Sequence, residues 1–221
     1  MSLNLGLCTC LKDMGIFVSG PNGCVALSKE FLNQEEIIFE EIKKAAAKAG
    51  GSFKDFSKIV SVRGPGRFTG MRISYTLAGV YSVLSNAGVY GLSVHDCLAF
   101  NAFEYFKEKE KFEIACLSRA FKDEFYLSYY LVSQGKLKRK TQIFWLKENI
   151  LKDKLRNYKG IIIGEKKDYP QIYSLANENS SLAPDEISAV LPKNIIKAGF
   201  YFNEKNISPI YAKPAKYENL K

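Results

Sequence analysis

One stretch, residues 59–91, limits the fold of this chain more than any other: IVSVRGPGRFTGMRISYTLAGVYSVLSNAGVYG. Ile59, Val60 and Val62 read as a short apolar strand, which feeds the loop Gly64-Pro65-Gly66-Arg67-Phe68-Thr69-Gly70. A helix is predicted from Met71 to Ala87, stopped by Gly88, with a second apolar strand from Val89. Strand, tight loop, helix, strand is a βαβ unit, and it demands a parallel pair of strands. Three glycines let backbone N–H groups come close to whatever sits at the helix start. Gly64, Gly66, Arg67, Thr69, Gly70 and Arg72 are therefore the candidate nucleotide-proximal loop.

The pattern excludes one familiar phosphate loop and weighs against another. A Walker A loop ends in Gly-Lys-Ser/Thr, whereas this one closes Gly70-Met71-Arg72. A dinucleotide fingerprint is G-x-G-x-x-G, and here one more residue separates the last two glycines. Asp96 stands near the end of the next strand, where a ribose-binding acid would sit, but the loop follows the fourth strand rather than the first. The plain structural alternative is a strand-to-helix turn with Thr69 as N-cap.

Upstream, strands are expected over Leu5–Cys10, Gly15–Val18 and Val25–Glu30, an antiparallel meander with a hairpin signal at Ser19-Gly20-Pro21-Asn22-Gly23. Gln34–Ala49 reads as a helix with Asn33 as N-cap, early glutamates, late lysines and Gly50-Gly51 at its end. Val94–Phe106 is a third helix, with His95 at its start. The charge run Lys107–Lys111 is a boundary signal, giving an N-terminal lobe over 1–108 and a C-terminal lobe over 109–221. In the second half, strands are expected over Phe112–Leu117, Phe125–Val132, Lys136–Leu146 and Gly160–Gly164. Helices are expected over Lys147–Asn157 and Pro192–Asn203, irregular chain over Tyr169–Ala189, and a loose basic tail after Tyr211. No internal repeat is visible. The order implies an α/β protein of two lobes.

Two helices carry more apolar surface than one core face needs. On the first, Ile38, Ile42, Ala45 and Ala49 recur at helical spacing. On the second, Gly70, Ser74, Ala78 and Ser82 form a small-residue stripe, while Ile73, Leu77, Val80 and Leu84 form a large apolar one. Either both faces pack inside the chain, or one meets a partner protein. In the second case Ile38, Ile42, Ala45, Ala49, Gly70, Ser74, Ala78 and Ser82 are the partner-binding candidates, and Ser74→Arg or Ala78→Arg is expected to abolish the complex.

Composition narrows the classes further. The net charge of +9 fits either a surface of solvated lysines or one that sits near nucleic acid, and the basic residues are spread along the chain. Five scattered cysteines without a CxxC pair read as reduced thiols of a cytoplasmic protein, and no metal site is expected. A single histidine excludes HExxH chemistry. No run approaches the roughly 18 to 20 apolar residues of a membrane span, and no signal peptide is expected.

The loop also carries a resemblance. Gly64-Pro65-Gly66-Arg67-Phe68-Thr69-Gly70-Met71-Arg72-Ile73 is similar to the G-P-G-S-F-T-G-L-R-I of the bacterial TsaB family, also called YeaZ. Val94-His95-Asp96-Cys97-Leu98, Ser118–Tyr126 and Pro209-Ile210-Tyr211-Ala212-Lys213 resemble further family segments in order. The resemblance implies an actin, sugar-kinase and Hsp70-type fold with two ribonuclease-H-like lobes. It implies a non-catalytic partner of TsaD, the subunit that installs threonylcarbamoyl on N6 of adenosine 37 of tRNA, with the ATPase TsaE joining them. It places that contact on the helices Gln34–Ala49 and Met71–Ala87, with ATP or ADP at the interface with partner subunits and no cofactor of its own. A homodimer is expected when the partner is absent.

The departures from the family point the same way. Cys8-Thr9-Cys10 stands where relatives carry Asp-Thr-Ser, Arg67 replaces a Ser, and Asn33-Gln34-Glu35 lacks a His. The alternative is a divergent nucleotide-binding kinase or hydrolase of the same fold, for which Asp13 and Asp96 are the nearest carboxylates. A third reading is direct RNA binding by the basic surface, with steep salt dependence.

Overall fold

A computed structural model describes residues 2–30, 33–166 and 169–213 of the chain. The tail beyond Lys213 lies outside the described residues. Among the described residues, those up to 97 together with 190–210 form one unit, and 98–189 with 211–213 form a second. The unit changes after Cys97, and the chain returns to the first unit at Val190.

The first unit is built on a five-stranded sheet. Its strands are β1 (Leu3–Cys8), β2 (Asp13–Gly20), β3 (Gly23–Glu30), β4 (Phe56–Val62) and β5 (Gly88–Leu92), in the order β3-β2-β1-β4-β5. The meander is antiparallel, Leu5 facing Val18 and Ile16 facing Leu27. β4 then joins β1 in parallel and β5 joins β4 in parallel, so the βαβ unit of the sequence is present. The helices are α1 (Gln34–Lys48), α2 (Phe68–Ser85), α3 (Val94–Tyr105), which runs across the change of unit, and, after the return, α5 (Pro192–Phe202). α5 belongs here because its apolar face lies close on the sheet. A Cβ on Gly199 would sit 2.5 Å from Val60, and one on Gly6 would sit 3.0 Å from Ile195.

The second unit repeats the order. Its strands are β6 (Lys111–Phe121), β7 (Glu124–Ser133), β8 (Lys136–Arg139), β9 (Phe144–Lys147), β10 (Ile161–Gly164) and β11 (Ser181–Leu182), with α4 (Glu148–Leu155). The sheet runs β8-β7-β6-β10-β11, with β9 also on β7. β6, β7 and β8 are antiparallel, and β10 and β11 add in parallel. Each unit thus carries the same sheet order, a meander of three strands extended by two parallel ones. That is the α/β, two-lobed, ribonuclease-H-like class expected for the actin, sugar-kinase and Hsp70 type.

Several element bounds differ from the sequence reading. The strand expected over Lys136–Leu146 is two strands, because Tyr129 N–H bonds the Thr141 hydroxyl (3.0 Å) and the Tyr129 carbonyl takes Lys140 N–H (2.8 Å). α2 begins at Phe68 with Arg67 as N-cap, so Thr69 lies inside the first turn. It ends on Asn86 in the left-handed conformation (φ 54°), two residues before Gly88. The Asn33 side chain makes no capping bond and donates to Glu36 instead (2.8 Å).

The core of the first unit gathers Leu3, Leu5, Leu7, Ile16, Ile42, Phe56 and Ile59 around Tyr81. Phe56, Phe53 and Phe39 surround that ring at 5.6, 6.1 and 6.4 Å between centroids. The Tyr81 hydroxyl has no hydrogen-bond partner among the described residues, and burial pushes its pKa up to about 12. A buried hydroxyl without a partner costs about 1–3 kcal/mol. Tyr81→Phe is therefore expected to stabilise the protein by about 1 kcal/mol, read as a higher urea midpoint at unchanged slope.

Candidate functional site

The glycine loop is fixed to the turn after β1. Arg67 N–H donates to the Cys10 carbonyl (2.6 Å), and the Thr9 hydroxyl donates to the Gly70 carbonyl (2.5 Å). A Cβ on Gly66 would lie 2.2 Å from the Cys10 oxygen, and one on Gly70 would lie 1.9 Å from the Thr9 oxygen. Gly64 has φ +107°, and its carbonyl accepts Val94 N–H (2.8 Å). Gly66 and Gly70 thus serve backbone packing within the unit, and Gly64 serves the positive φ of the turn, where a Cβ would meet the Met71 side chain. Arg67, Thr69 and Arg72 point the other way and are exposed.

Cys8, Thr9 and Cys10 are buried, and the two sulfurs lie 3.9 Å apart. Gln34, where the family resemblance implies a histidine nearby, is buried and donates from Nε2 to the Leu11 and Lys12 carbonyls (3.2 Å each). The carboxylate of Asp96 accepts Ser93 N–H (2.8 Å), and the Ser93 hydroxyl accepts Asp96 N–H (2.9 Å). This is a reciprocal capping box that starts α3. Asp96 therefore holds a helix end, and Asp13 sits at the first residue of β2. Among the described residues no group of three His, Cys, Asp or Glu side chains is brought together as a metal site.

The structure places the partner-binding candidates mostly inside the first unit. Ile38, Ile42, Ala45, Ala49, Gly70, Ser74 and Ala78 are buried in the first unit itself, and Ser82 is half-buried with its hydroxyl on the Ala87 carbonyl (2.8 Å). The small stripe faces the unit's own sheet, where the Ser74 and Ser61 hydroxyls meet at 3.0 Å. Small side chains are what let α2 come this close. Ser74→Arg and Ala78→Arg thus probe the core rather than a surface.

What α1 and α2 leave open is the large-residue side. Phe39, Phe68, Tyr75, Val80, Val83 and Leu84 are exposed, half of the twelve exposed large hydrophobic side chains among the described residues. Between the two helices lies a groove of about 440 Å³, lined by Ile38, Phe39, Phe68, Ile73 and Leu77, with Thr69, Arg72, Thr76 and Glu35 at its rim. Arg72 lies over the Phe68 ring, 5.0 Å from its centroid. The exposed half of the glycine loop and the groove are thus one surface. Val80 and Leu84 were legible as an apolar stripe of α2; Tyr75 and Val83 fall off that spacing and were missed.

His95 is fully buried on the first turn of α3, and burial drives its pKa down to about 3 against the opposing charge of Asp96. The unfolded chain takes up that proton near pH 6.5, but the folded chain takes it up only near 3. Stability is therefore lost as pH falls below about 6.5, at up to about 1.4 kcal/mol per pH unit. From pH 7 to 5 the expected loss from this group is about 2 kcal/mol, measured as urea midpoints, and His95→Gln should remove that part of the slope.

No helix of the described chain is long and apolar enough to cross a membrane. The family profile described as TsaD, tRNA N6-adenosine threonylcarbamoyltransferase, matches residues 32–202. The chain belongs to this family. Within it, the likeness is to the TsaB or YeaZ proteins, as the glycine loop implied. A protein from Buchnera aphidicola subsp. Schizaphis graminum, described as tRNA threonylcarbamoyladenosine biosynthesis protein TsaB, is 34% identical over 73 residues. That match spans 33% of this chain and 35% of the relative's length. Among solved structures, YeaZ from Pseudomonas aeruginosa superposes with a TM-score of 0.69 at 18% identity, over 96% of this chain and 100% of that one. A second, described as an uncharacterized protein with similarity to peptidase YEAZ from Pseudomonas aeruginosa, gives 0.73 at 16% identity over the same shares. At these identities the two structures establish the fold.

Proposed function

We propose that this chain is a non-catalytic subunit of the machinery that makes threonylcarbamoyladenosine in tRNA, acting in the cytoplasm by docking a TsaD-type threonylcarbamoyltransferase, with TsaE joining the pair. The observation that carries this reading is the exposed apolar surface of α1 and α2. Six large exposed hydrophobic side chains on adjacent helices, two of them (Phe39 and Phe68) lining a groove, are what a partner helix face needs to bury. The loop supports a non-catalytic role. The space beside Gly66 and Gly70 is filled by backbone, and the turn it packs on carries Cys8 and Cys10 rather than a carboxylate. ATP or ADP then belongs to the interface with the partner subunits.

The test is size-exclusion chromatography with light scattering, the chain alone and with TsaD of the same organism. A one-to-one complex is expected. Alone, the same surface should drive a concentration-dependent homodimer. No complex, with or without nucleotide, overturns the proposal.

A further inference from the structure

Four of the 32 basic residues, Lys58, Lys193, Lys197 and Lys205, come to one face of the first unit. On α5, Lys193, Lys197 and Tyr201 recur every four residues, and Phe200 lies three beyond Lys197, so all four share one exposed side. Phe200 meets Tyr90 of β5 edge-on at 5.4 Å. The Lys58 ammonium stands 4.5 Å from the Phe200 centroid, and that of Lys205 stands 3.5 Å from the Tyr90 centroid. Lys58, Lys193, Lys197 and Lys205 have no carboxylate partner among the described residues. From Pro192 to Ser208 the only acidic residue is Glu204, whose carboxylate accepts Asn206 N–H (3.0 Å).

We infer that this face of α5 and β5 binds single-stranded RNA. Four cations without counter-charges call for a polyanion, and the rings of Phe200, Tyr201 and Tyr90 between them call for one that carries flat groups. Single-stranded nucleic acid has both, its phosphates taken by ammonium groups and its bases stacked on exposed rings. A duplex offers the phosphates but keeps its bases stacked on each other. The choice of RNA over DNA rests on the functional reading above; the binding face itself does not.

The experiment is fluorescence anisotropy of the full chain, without TsaD, against a labelled single-stranded RNA of about 12 nucleotides, a size within the ~4–16 typical of such sites. Binding should weaken with salt at a log–log slope of about −3, four neutralised phosphates at about −0.7 each. Lys197→Glu should flatten the slope, and Phe200→Leu should weaken binding roughly tenfold or more through lost stacking. Both positions are exposed, and unchanged circular dichroism and TsaD binding show that the fold is intact. No binding, equal binding to the duplex, or an affinity untouched by both variants overturns the inference. Since TsaD is absent from the assay, failure of the RNA face and failure of the TsaD contact are read separately.

Discussion

Val83→Glu is expected to weaken the complex with TsaD by a hundredfold or more while leaving the fold untouched. Val83 is 86% exposed, so its own unit gives it almost nothing to lose. Surface changes of this kind fall within about 0.5 kcal/mol of wild-type stability. Across an apolar interface the same change removes a buried contact and strands a charge without a partner, at a cost of about 3 kcal/mol or more. Titration calorimetry with TsaD measures the loss, and a thermal melt checks the fold. Ala78→Arg, five residues earlier on α2, should do the reverse. Ala78 is fully buried, so the variant should lose its fold before any complex is at stake. A Val83→Glu protein that binds TsaD normally would remove α2 from the interface.

The difference between these two positions explains how far the sequence could be read. The βαβ unit, the antiparallel meander and both long helices were legible because period and punctuation state them directly. Which non-polar face of α2 goes inward was not. A stripe of Gly70, Ser74 and Ala78 and a stripe of Ile73, Leu77, Val80 and Leu84 both satisfy an amphipathic pattern. Size decides it. The sheet and the Thr9–Cys10 turn approach α2 so closely that the small stripe lies against them, while Ile73 and Leu77 pack at the edge of the core and Val80 and Leu84 are exposed. Spacing on one helix cannot report the distance to another element. The repeated sheet order of the two units was legible only through the family resemblance, because strand order is a property of pairing and the two halves share no visible residue pattern. The gathering of Lys58, Tyr90, Phe200 and Lys205 has the same cause: parallel pairing of β4 with β5, and the return of the chain at α5, join residues far apart in sequence.

Gly70→Ala is expected to cost about 4 kcal/mol or more, a fall in melting temperature of roughly 10 °C or more for a chain of this length. The new Cβ would lie 1.9 Å from the Thr9 oxygen and 2.7 Å from the Thr9 carbonyl carbon, both backbone atoms. No rotamer change relieves a clash with backbone. The start of α2 would have to move, and it is held at two points, by the Thr9 hydroxyl on the Gly70 carbonyl and by Arg67 N–H on the Cys10 carbonyl. Gly79 supplies the control within the same helix. A Cβ there meets nothing within 4 Å, and alanine is the better helix former by about 0.8–1.0 kcal/mol. Gly79→Ala should therefore raise the melting temperature. The two substitutions are chemically identical and nine residues apart on α2, so opposite signs can come only from what each methyl group meets. If both shifted stability the same way, the contact of the glycine loop with the Thr9–Cys10 turn would not be as close as these distances state.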